Sequence, residues 1–302
     1  MATFQSFWFG DSLPPYQQLA MKSFVDHGHD YVLYSYKQFD APKGIVLCDA
    51  NLILPASRIF FYGDRAGVGR GSVAGFSNLF RYHLLHGFGN WWVDADVVCL
   101  SSEVPSSDIF MGWEYDELVG NAILKFPQRH DFVRELMDFS ERAGSDVEWG
   151  HTGPALITKL AIERGITSLL RPQTFAYPIQ SAIALHLLMP SRRDELVELI
   201  EGRPFLHIWN EILRRAVIFP WMAPPAGLLM AELFARHGID FGRSPIYTAD
   251  EIQRLYENYL GNTPWAQPFV TTRLETKLKA AEERIEALTA EIEHMRAHGI
   301  LA

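Results

Sequence analysis

Short apolar runs alternate with stretches of helical spacing along the first hundred residues. Phe4 to Phe9 reads as a strand, ended by Gly10-Asp11-Ser12-Leu13-Pro14-Pro15, and a helix follows from about Tyr16 to Asp26. Tyr31 to Tyr36 reads as a second strand and Gly44 to Leu47 as a third. Ser72 to His86 is a strong amphipathic helix, because Val73, Phe76, Leu79, Phe80, Leu84 and Leu85 recur at helical spacing. Gly87, Gly89 and Asn90 stop it. Trp91 to Val98 then reads as one buried strand, with Asp94 and Asp96 toward its end. Strand, helix, strand, helix, strand is the order of an open α/β sheet that holds ligands at its carboxyl edge.

Beyond residue 100 the pattern is mixed. Ile109 to Trp113 and Val119 to Phe126 read as strands, and His130 to Arg142 as a helix. Thr152-Gly153-Pro154 predicts another helix, with Thr152 as its N-cap and Pro154 in the first turn. After Arg192 the chain reads as mostly helical, and Thr248-x-x-Glu251 is a capping box for a helix ending near Leu260. The domain therefore runs over 1–262, with an α/β half over about 1–126 and a helical half over about 127–262. Residues 263–302 separate as linker and coiled-coil helix. Leu274, Leu278, Ala281, Ile285, Leu288, Ile292 and Met295 step by fours and threes, a heptad seam that predicts a parallel homodimer through residues 269–298. The alternative is one amphipathic helix folded back on its own domain.

Charge narrows the partners. Lys and Arg total 27 against 36 Asp and Glu, a net charge of −9, which leaves no basic footprint for nucleic acid. The two cysteines, Cys48 and Cys99, lie in apolar strand-like stretches and read as reduced core thiols, which suits a cytoplasmic compartment. The first residues lack a basic n-region, so no signal peptide is expected. Ala216 to Ala235 is very apolar but contains Pro220, Pro224 and Pro225. It reads as a buried segment rather than a span, with contact to a lipid-linked substrate as the second reading, so membrane contact is at most peripheral.

An Asp-x-Asp pair is weak evidence alone. Here it ends an apolar strand, and the preceding helix carries Arg81. Two carboxylates so placed suit a hard divalent cation that shares its other positions with phosphate oxygens and water. Arg81 adds a fixed positive fork for phosphate or carboxylate. The plainer reading is that the aspartates cap a turn and Arg81 pairs with one of them.

Phe7-Trp8-Phe9-Gly10, Leu13-Pro14-Pro15, Ser77-Asn78-Leu79-Phe80-Arg81-Tyr82 and Gly89-Asn90-Trp91-Trp92-Val93-Asp94-Ala95-Asp96 occur in this order. Together they resemble the sugar-binding region of retaining glycosyltransferases with an Asp-x-Asp motif (glycosyltransferase family 32-like), most nearly bacterial capsule and surface-glycan enzymes. The resemblance covers residues 4 to 125 well. It implies a GT-A fold, a nucleotide-sugar donor with a UDP-sugar favoured, a glycan acceptor, and Mn²⁺ or Mg²⁺. On this resemblance Asp96 binds the metal, Asp94 holds the ribose and reaches the metal, and Arg81 faces the donor sugar or diphosphate. Trp92 lines the nucleotide pocket, and Phe9 and Gly10 border the base. His207 is the candidate to complete the metal site and Trp209 to cover the nucleotide. Glu114, Asn121 and His151 are candidates for contact with donor or acceptor sugar.

Two positions depart from the family pattern. Asn78 replaces the usual Asp, which removes a charge. Asn90 replaces a Gly, a milder change because Asn tolerates positive φ. The expected activity is transfer of a hexose or N-acetylhexosamine. The rivals are a nucleotide-sugar-binding scaffold that lost turnover and a haloacid-dehalogenase-like phosphatase.

Overall fold

The structure, a computed structural model, describes residues 1–115, 117–263 and 289. The expected tail helix and its dimer seam lie outside the described residues. The chain opens β1 (Thr3–Trp8), α1 (Pro15–Asp26), β2 (Asp30–Ser35), β3 (Ile45–Asp49), α2 (Ala74–Phe88) and β4 (Asn90–Val93). Then come β5 (Val97–Cys99), β6 (Trp113–Tyr115), β7 (Leu118–Val119), β8 (Ile123–Phe126), α3 (Asp131–Ala143), α4 (Pro154–Glu163) and α5 (Gln173–Ala176). The remainder is α6 (Arg193–Ile200), β9 (Phe205–His207), α7 (Asn210–Arg215), α8 (Leu229–Arg236) and α9 (Ala249–Gly261).

The main sheet has the order β3-β2-β1-β4-β8. Its first four strands are parallel and β8 runs antiparallel to β4. Both faces are covered, so the strands read as near-continuous apolar runs. Phe4, Leu33, Trp91 and Val93 enter one core with α1, α8 and α9, while Phe7, Tyr34, Trp92 and Leu124 enter the other with α2, α3 and α4. The period of two thus sends the adjacent Trp91 and Trp92 into opposite layers. This mixed sheet flanked by helices is the α/β architecture that the sequence predicts, and it is consistent with the GT-A fold that the resemblance implies. The chain adds β2 and β3 on one side of β1, then crosses back to place β4 on the other. That reversal makes the carboxyl ends of β1 and β4 the crevice for a ligand.

The turn from α2 into β4 explains two motif positions. Gly89 has φ +66° and Asn90 φ +75°. A Cβ on Gly89 would come within 2.5 Å of the Gln128 amide nitrogen, so only glycine fits there.

Several expected elements are corrected. Trp91 to Val98 is two strands, because a turn at Asp94–Asp96, closed by Val97 N–H to the Asp94 carbonyl at 3.0 Å, sends the chain out of the main sheet. β5 then pairs antiparallel with β9, a strand within the region read as mostly helical. Ile109 to Trp113 pairs only through single bridges at Phe110 and Gly112 before β6 begins. Thr152 does not cap α4: Gly153 occupies the N-cap, and the Thr152 hydroxyl accepts from Asn78 Nδ2 at 3.2 Å. Ala216 to Ala235 is not buried throughout, since Val217, Phe219 and Trp221 are exposed. The capping box is present, with the Glu251 N–H donating to Thr248 Oγ1 at 3.2 Å. Among the described residues no helix is long and apolar enough to cross a membrane.

Candidate active site

Asp94 leaves the end of β4 with its N–H on the Ala122 carbonyl at 2.8 Å, which fixes the turn against the residue before β8. Its Oδ1 accepts from Trp92 Nε1 at 2.7 Å and from Arg81 Nη2 at 2.5 Å. Arg81, nearly fully buried on α2, donates its other terminal nitrogen to Asn78 Oδ1 at 2.8 Å. The plainer reading of the Asp–Arg pair is therefore realised for Asp94. The guanidinium fork clamps Asp94 and Asn78 rather than standing free for a diphosphate.

Asp96 is held by the C-terminal half of the chain. Its Oδ2 accepts the Asn210 N–H at 2.8 Å, and its Oδ1 lies 3.1 Å from His207 Nε2. The β5–β9 ladder sets this contact by pairing Val97 with His207. Just beyond, Trp209 takes a left-handed backbone, φ +62° and ψ +53°, and donates its Nε1–H to the Ile179 carbonyl at 2.8 Å. Its ring packs on His207 with centroids 4.0 Å apart. A non-glycine residue in that region is strained, and such strain clusters at functional sites.

Asp94, Asp96 and His207 each offer one ligand atom, and these atoms all lie within 4.8 Å of one another. The 3.1 Å between Asp96 Oδ1 and His207 Nε2 matches the edge of an octahedron with bonds of about 2.1 Å. Two carboxylates and an imidazole suit Mn²⁺ or Mg²⁺. Arg81 Nε, His207 Nδ1 and Asn210 Oδ1 sit on residues that touch these aspartates, and all three are buried without a hydrogen-bond partner. Buried polar atoms are seldom left so. The residues present fit a divalent ion with a polar ligand.

Burial opposes charge on both members of the Asp96–His207 pair, but their mutual attraction prevails. Asp96 is held below the usual carboxylate range and His207 above the usual imidazole range. Burial pushes the Glu114 carboxyl up to about 7, with His207 opposing and Asp94 adding to the rise.

These groups open on a cavity of about 620 Å³ lined by Asn78, Arg81, Asp94, Asp96, Glu114, Asn121, His207 and Trp209. Asn78 is its hub, because its Oδ1 also accepts Asn121 Nδ2–H at 3.0 Å. A Cβ on Gly153 would come within 2.7 Å of that Asn121 nitrogen, so the glycine makes room for the network.

The matched relatives are glycosyltransferases. Over 149 residues, 45% of this chain, it is 27% identical to lactosylceramide 4-alpha-galactosyltransferase of Homo sapiens, matching 41% of that protein. The Pongo pygmaeus protein of the same name is also 27% identical over 149 residues, matching 66% of its length. The chain thus spans less than two thirds of these relatives. The solved structures it resembles include the PaToxG glycosyltransferase, at TM-score 0.41 and 12% identity, covering 55% of this chain and 71% of that one. Another is apo WbbM, described as a bifunctional glycosyltransferase, at TM-score 0.43 and 12% identity, covering 84% and 51%. No protein-family profile matches.

Four predicted site residues stand outside the cavity wall. Trp92 is buried beneath Asp94 and stacks under Arg81, whose guanidinium carbon lies 4.8 Å from the ring centroid. It positions the motif rather than lining a pocket. Phe9 and Gly10 follow β1 at the same sheet edge, but the Phe9 ring turns onto Phe61 at 5.7 Å. A Cβ on Gly10 would lie 2.8 Å from Trp8 Nε1, which itself donates to the Ser12 carbonyl. His151 is exposed and packs by Phe139 at 5.4 Å, although its neighbour Gly150 lines the cavity.

Sequence reasoning missed Tyr62, Trp149, Glu211 and Arg215, all of which line the cavity. Arg215 bonds Glu211 at 2.8 Å and lies 5.6 Å over the Trp149 ring. The i, i+4 spacing of Glu211 and Arg215 was a usable signal. Nothing local marks Trp149.

Proposed function

We propose that this chain is a divalent-metal-dependent, retaining glycosyltransferase that moves a hexose or N-acetylhexosamine from a nucleotide sugar, a UDP-sugar by preference, to a glycan acceptor. The observation that supports this most is the Asp94–Asp96–His207 cluster at the carboxyl edge of β4, opening on a sugar-sized cavity. Similarity to glycosyltransferases over 149 residues supports the same reaction class. The human relative's name states galactosyl transfer to lactosylceramide; we carry over only sugar transfer to a glycan-bearing acceptor, here a surface glycan under assembly.

Asp96 and His207, with Asp94, would hold Mn²⁺ or Mg²⁺. Such an ion would supply neutralisation of the charge that develops on a departing diphosphate. The chain's own residues do the rest. Trp92 and Arg81 fix Asp94, so its second oxygen stays turned to ligand without reorganisation. Glu114 and Asn121 offer hydrogen bonds to donor or acceptor sugar, and Tyr62 and Trp149 give it flat walls. The sugar–phosphate bond breaks, the acceptor oxygen bonds the anomeric carbon on the same face, and the acceptor proton passes to the departing phosphate oxygen.

Free Cys48 and Cys99 fit a reducing, cytoplasmic compartment, and the heptad seam of the tail fits a homodimer. Calorimetric titration against a panel of nucleotide sugars with Mn²⁺, paired with donor-hydrolysis and transfer assays, tests the reading. Metal-dependent binding with turnover is expected; binding without turnover would favour a scaffold protein, and no binding would end the proposal.

A further inference from the structure

On this acidic chain arginine usually stands beside a carboxylate, as Arg58 does beside Glu141, Arg164 beside Glu135 and Arg193 beside Glu232. One cavity gathers three arginines that do not. Arg171, Arg203 and Arg236 border a space of about 900 Å³, and among the described residues none of them forms an ion pair with a carboxylate. The cavity is separate from the transfer site. Asp96 and His207 stand at one end of the β5–β9 ladder. Leu100 and Pro204, which line this cavity, continue the other end, with Leu100 N–H on the Pro204 carbonyl at 2.9 Å. From Asp96 to Leu100 the chain spans about 13 Å at ~3.3 Å per residue.

Three separate elements bring these side chains together. Gly202, φ +66°, turns the chain after α6, and Arg203 N–H closes that turn on the Ile200 carbonyl at 3.0 Å. Glycine suits the left-handed place. Arg171 is anchored on both sides of its backbone, its N–H on the Met111 carbonyl at 2.8 Å and its carbonyl receiving the Trp113 N–H at 3.0 Å. Its guanidinium carbon lies over the Phe175 ring, 5.9 Å from the centroid. Arg236 ends α8, and Glu232, one turn earlier, is bound by Arg193 instead. Two carboxylates, Glu103 and Glu201, share the lining, while Lys125 and Asp108 offset each other beside Ser107. Three arginines against two glutamates leave the wall with a small positive excess.

Arg203 Nε is buried and has no hydrogen-bond partner. Buried polar atoms are seldom left so, and a guanidinium donor is best satisfied by an oxyanion. A small positive excess suits carboxylates better than doubly charged phosphates. A single carboxylate would fill little of the space, and Ser106 with Phe175, Val197 and Ile200 offers hydroxyl and apolar contact for the rest of a larger ligand. We propose that this cavity binds an acidic oligosaccharide: Arg171, Arg203 and Arg236 hold its carboxylates, and Glu103 and Glu201 accept from its hydroxyls. Guanidinium forks match carboxylates in two parallel bonds. The anchored backbones of Arg171 and Arg203 lower the entropy cost of ordering them round a ligand. That the ligand is a sugar chain rests on the transfer reading; that the wall takes carboxylates does not.

The test is calorimetric titration of the full chain, without nucleotide sugar, against tetragalacturonate, its uncharged methyl ester and inorganic pyrophosphate. Tetragalacturonate should bind, more weakly as salt rises, and at least about tenfold more tightly than either other probe. R171Q and R203Q should each weaken it about tenfold, with unchanged circular dichroism. R236Q, at an exposed helix end where the fold is not at stake, should weaken it as well. D96N, at the far end of the ladder, should bind tetragalacturonate as wild type does. A wild-type chain that does not bind tetragalacturonate overturns the inference. So does equal affinity for the ester or for pyrophosphate, wild-type binding by R171Q and R236Q, or loss of binding in folded D96N. Nucleotide-sugar titration of the same preparation separates the two claims. Tetragalacturonate binding without nucleotide-sugar binding leaves this site standing and removes the transfer reading, and the converse removes this site alone.

Discussion

Asp96 and His207, 111 residues apart in sequence, meet at 3.1 Å between Oδ1 and Nε2. One ends the Asp-x-Asp turn and the other ends β9, so the candidate metal site is completed only when the C-terminal half folds onto the first sheet. His207→Ala should weaken Mn²⁺ binding by more than about tenfold, while Phe205 and Leu206 keep β9 in the core. Calorimetry for the ion and circular dichroism for the fold check both halves of this expectation.

Arg81 has a side chain only 3% exposed and pairs with Asp94 at 2.5 Å. Arg81→Ala takes a donor from Asn78 and from Asp94, which is 28% exposed and keeps its Trp92 bond, so it should cost about 1–3 kcal/mol of stability. Arg81→Lys keeps the charge but not the fork, and should fall between. Asp94→Asn leaves the buried Arg81 guanidinium without its charge partner and should also destabilise the fold. Denaturant unfolding of the three variants should rank them Lys, Asn, Ala by increasing loss.

The Asp96–His207 pair gives a signed pH dependence. His207 titrates above its ordinary value, so its stabilisation is present below the ordinary imidazole pKa and lost as pH rises through the raised one. Asp96 titrates below its ordinary value, so its share is present above the ordinary carboxylate pKa and lost as pH falls through the depressed one. The ion-free protein thus gains most from the pair at mildly acidic pH. Metal needs the unprotonated imidazole. The gain in unfolding temperature from Mn²⁺ over a chelator should therefore grow as pH rises through the titration of His207, and the H207Q variant should lose that growth.

Glu114 behaves in the opposite sense to Asp96. Burial raises it from the ordinary 4.5 to about 7, so the folded state favours the neutral acid. Its contribution is full below the ordinary value and is lost as pH rises through about 7. Glu114→Gln fixes a neutral group of the same shape. Thermal scans of the ion-free proteins should find the variant more stable than wild type above neutral pH and level with it in mild acid.

The first sheet was legible because both its faces are buried, which writes strands as continuous apolar runs between punctuating Gly and Pro. Asn90 was also readable, as a residue that tolerates the left-handed turn glycine usually fills. The break at Asp94–Asp96 was not, because Val97 and Val98 are as apolar as Trp91 and Trp92 and belong to a different ladder. β9 escaped because three residues carry too little period to betray a strand. Thr152 looked like an N-cap from its neighbours alone, whereas its partner Asn78 is remote in sequence. Arg81 lines the cavity with its fork on Asp94 and Asn78, and no local pattern tells a fork aimed at a ligand from one aimed at Asp94. Trp149 reaches the cavity from a loop and has no motif at all.

The most direct measurement is a Mn²⁺ titration followed by electron paramagnetic resonance of the free ion, with and without a nucleoside diphosphate. The Asp94–Asp96–His207 assignment predicts one site per chain, tightened by the diphosphate and lost in D96N and H207A variants that remain folded. A wild-type chain that leaves the free-ion signal unchanged, or variants that bind as wild type does, would contradict it.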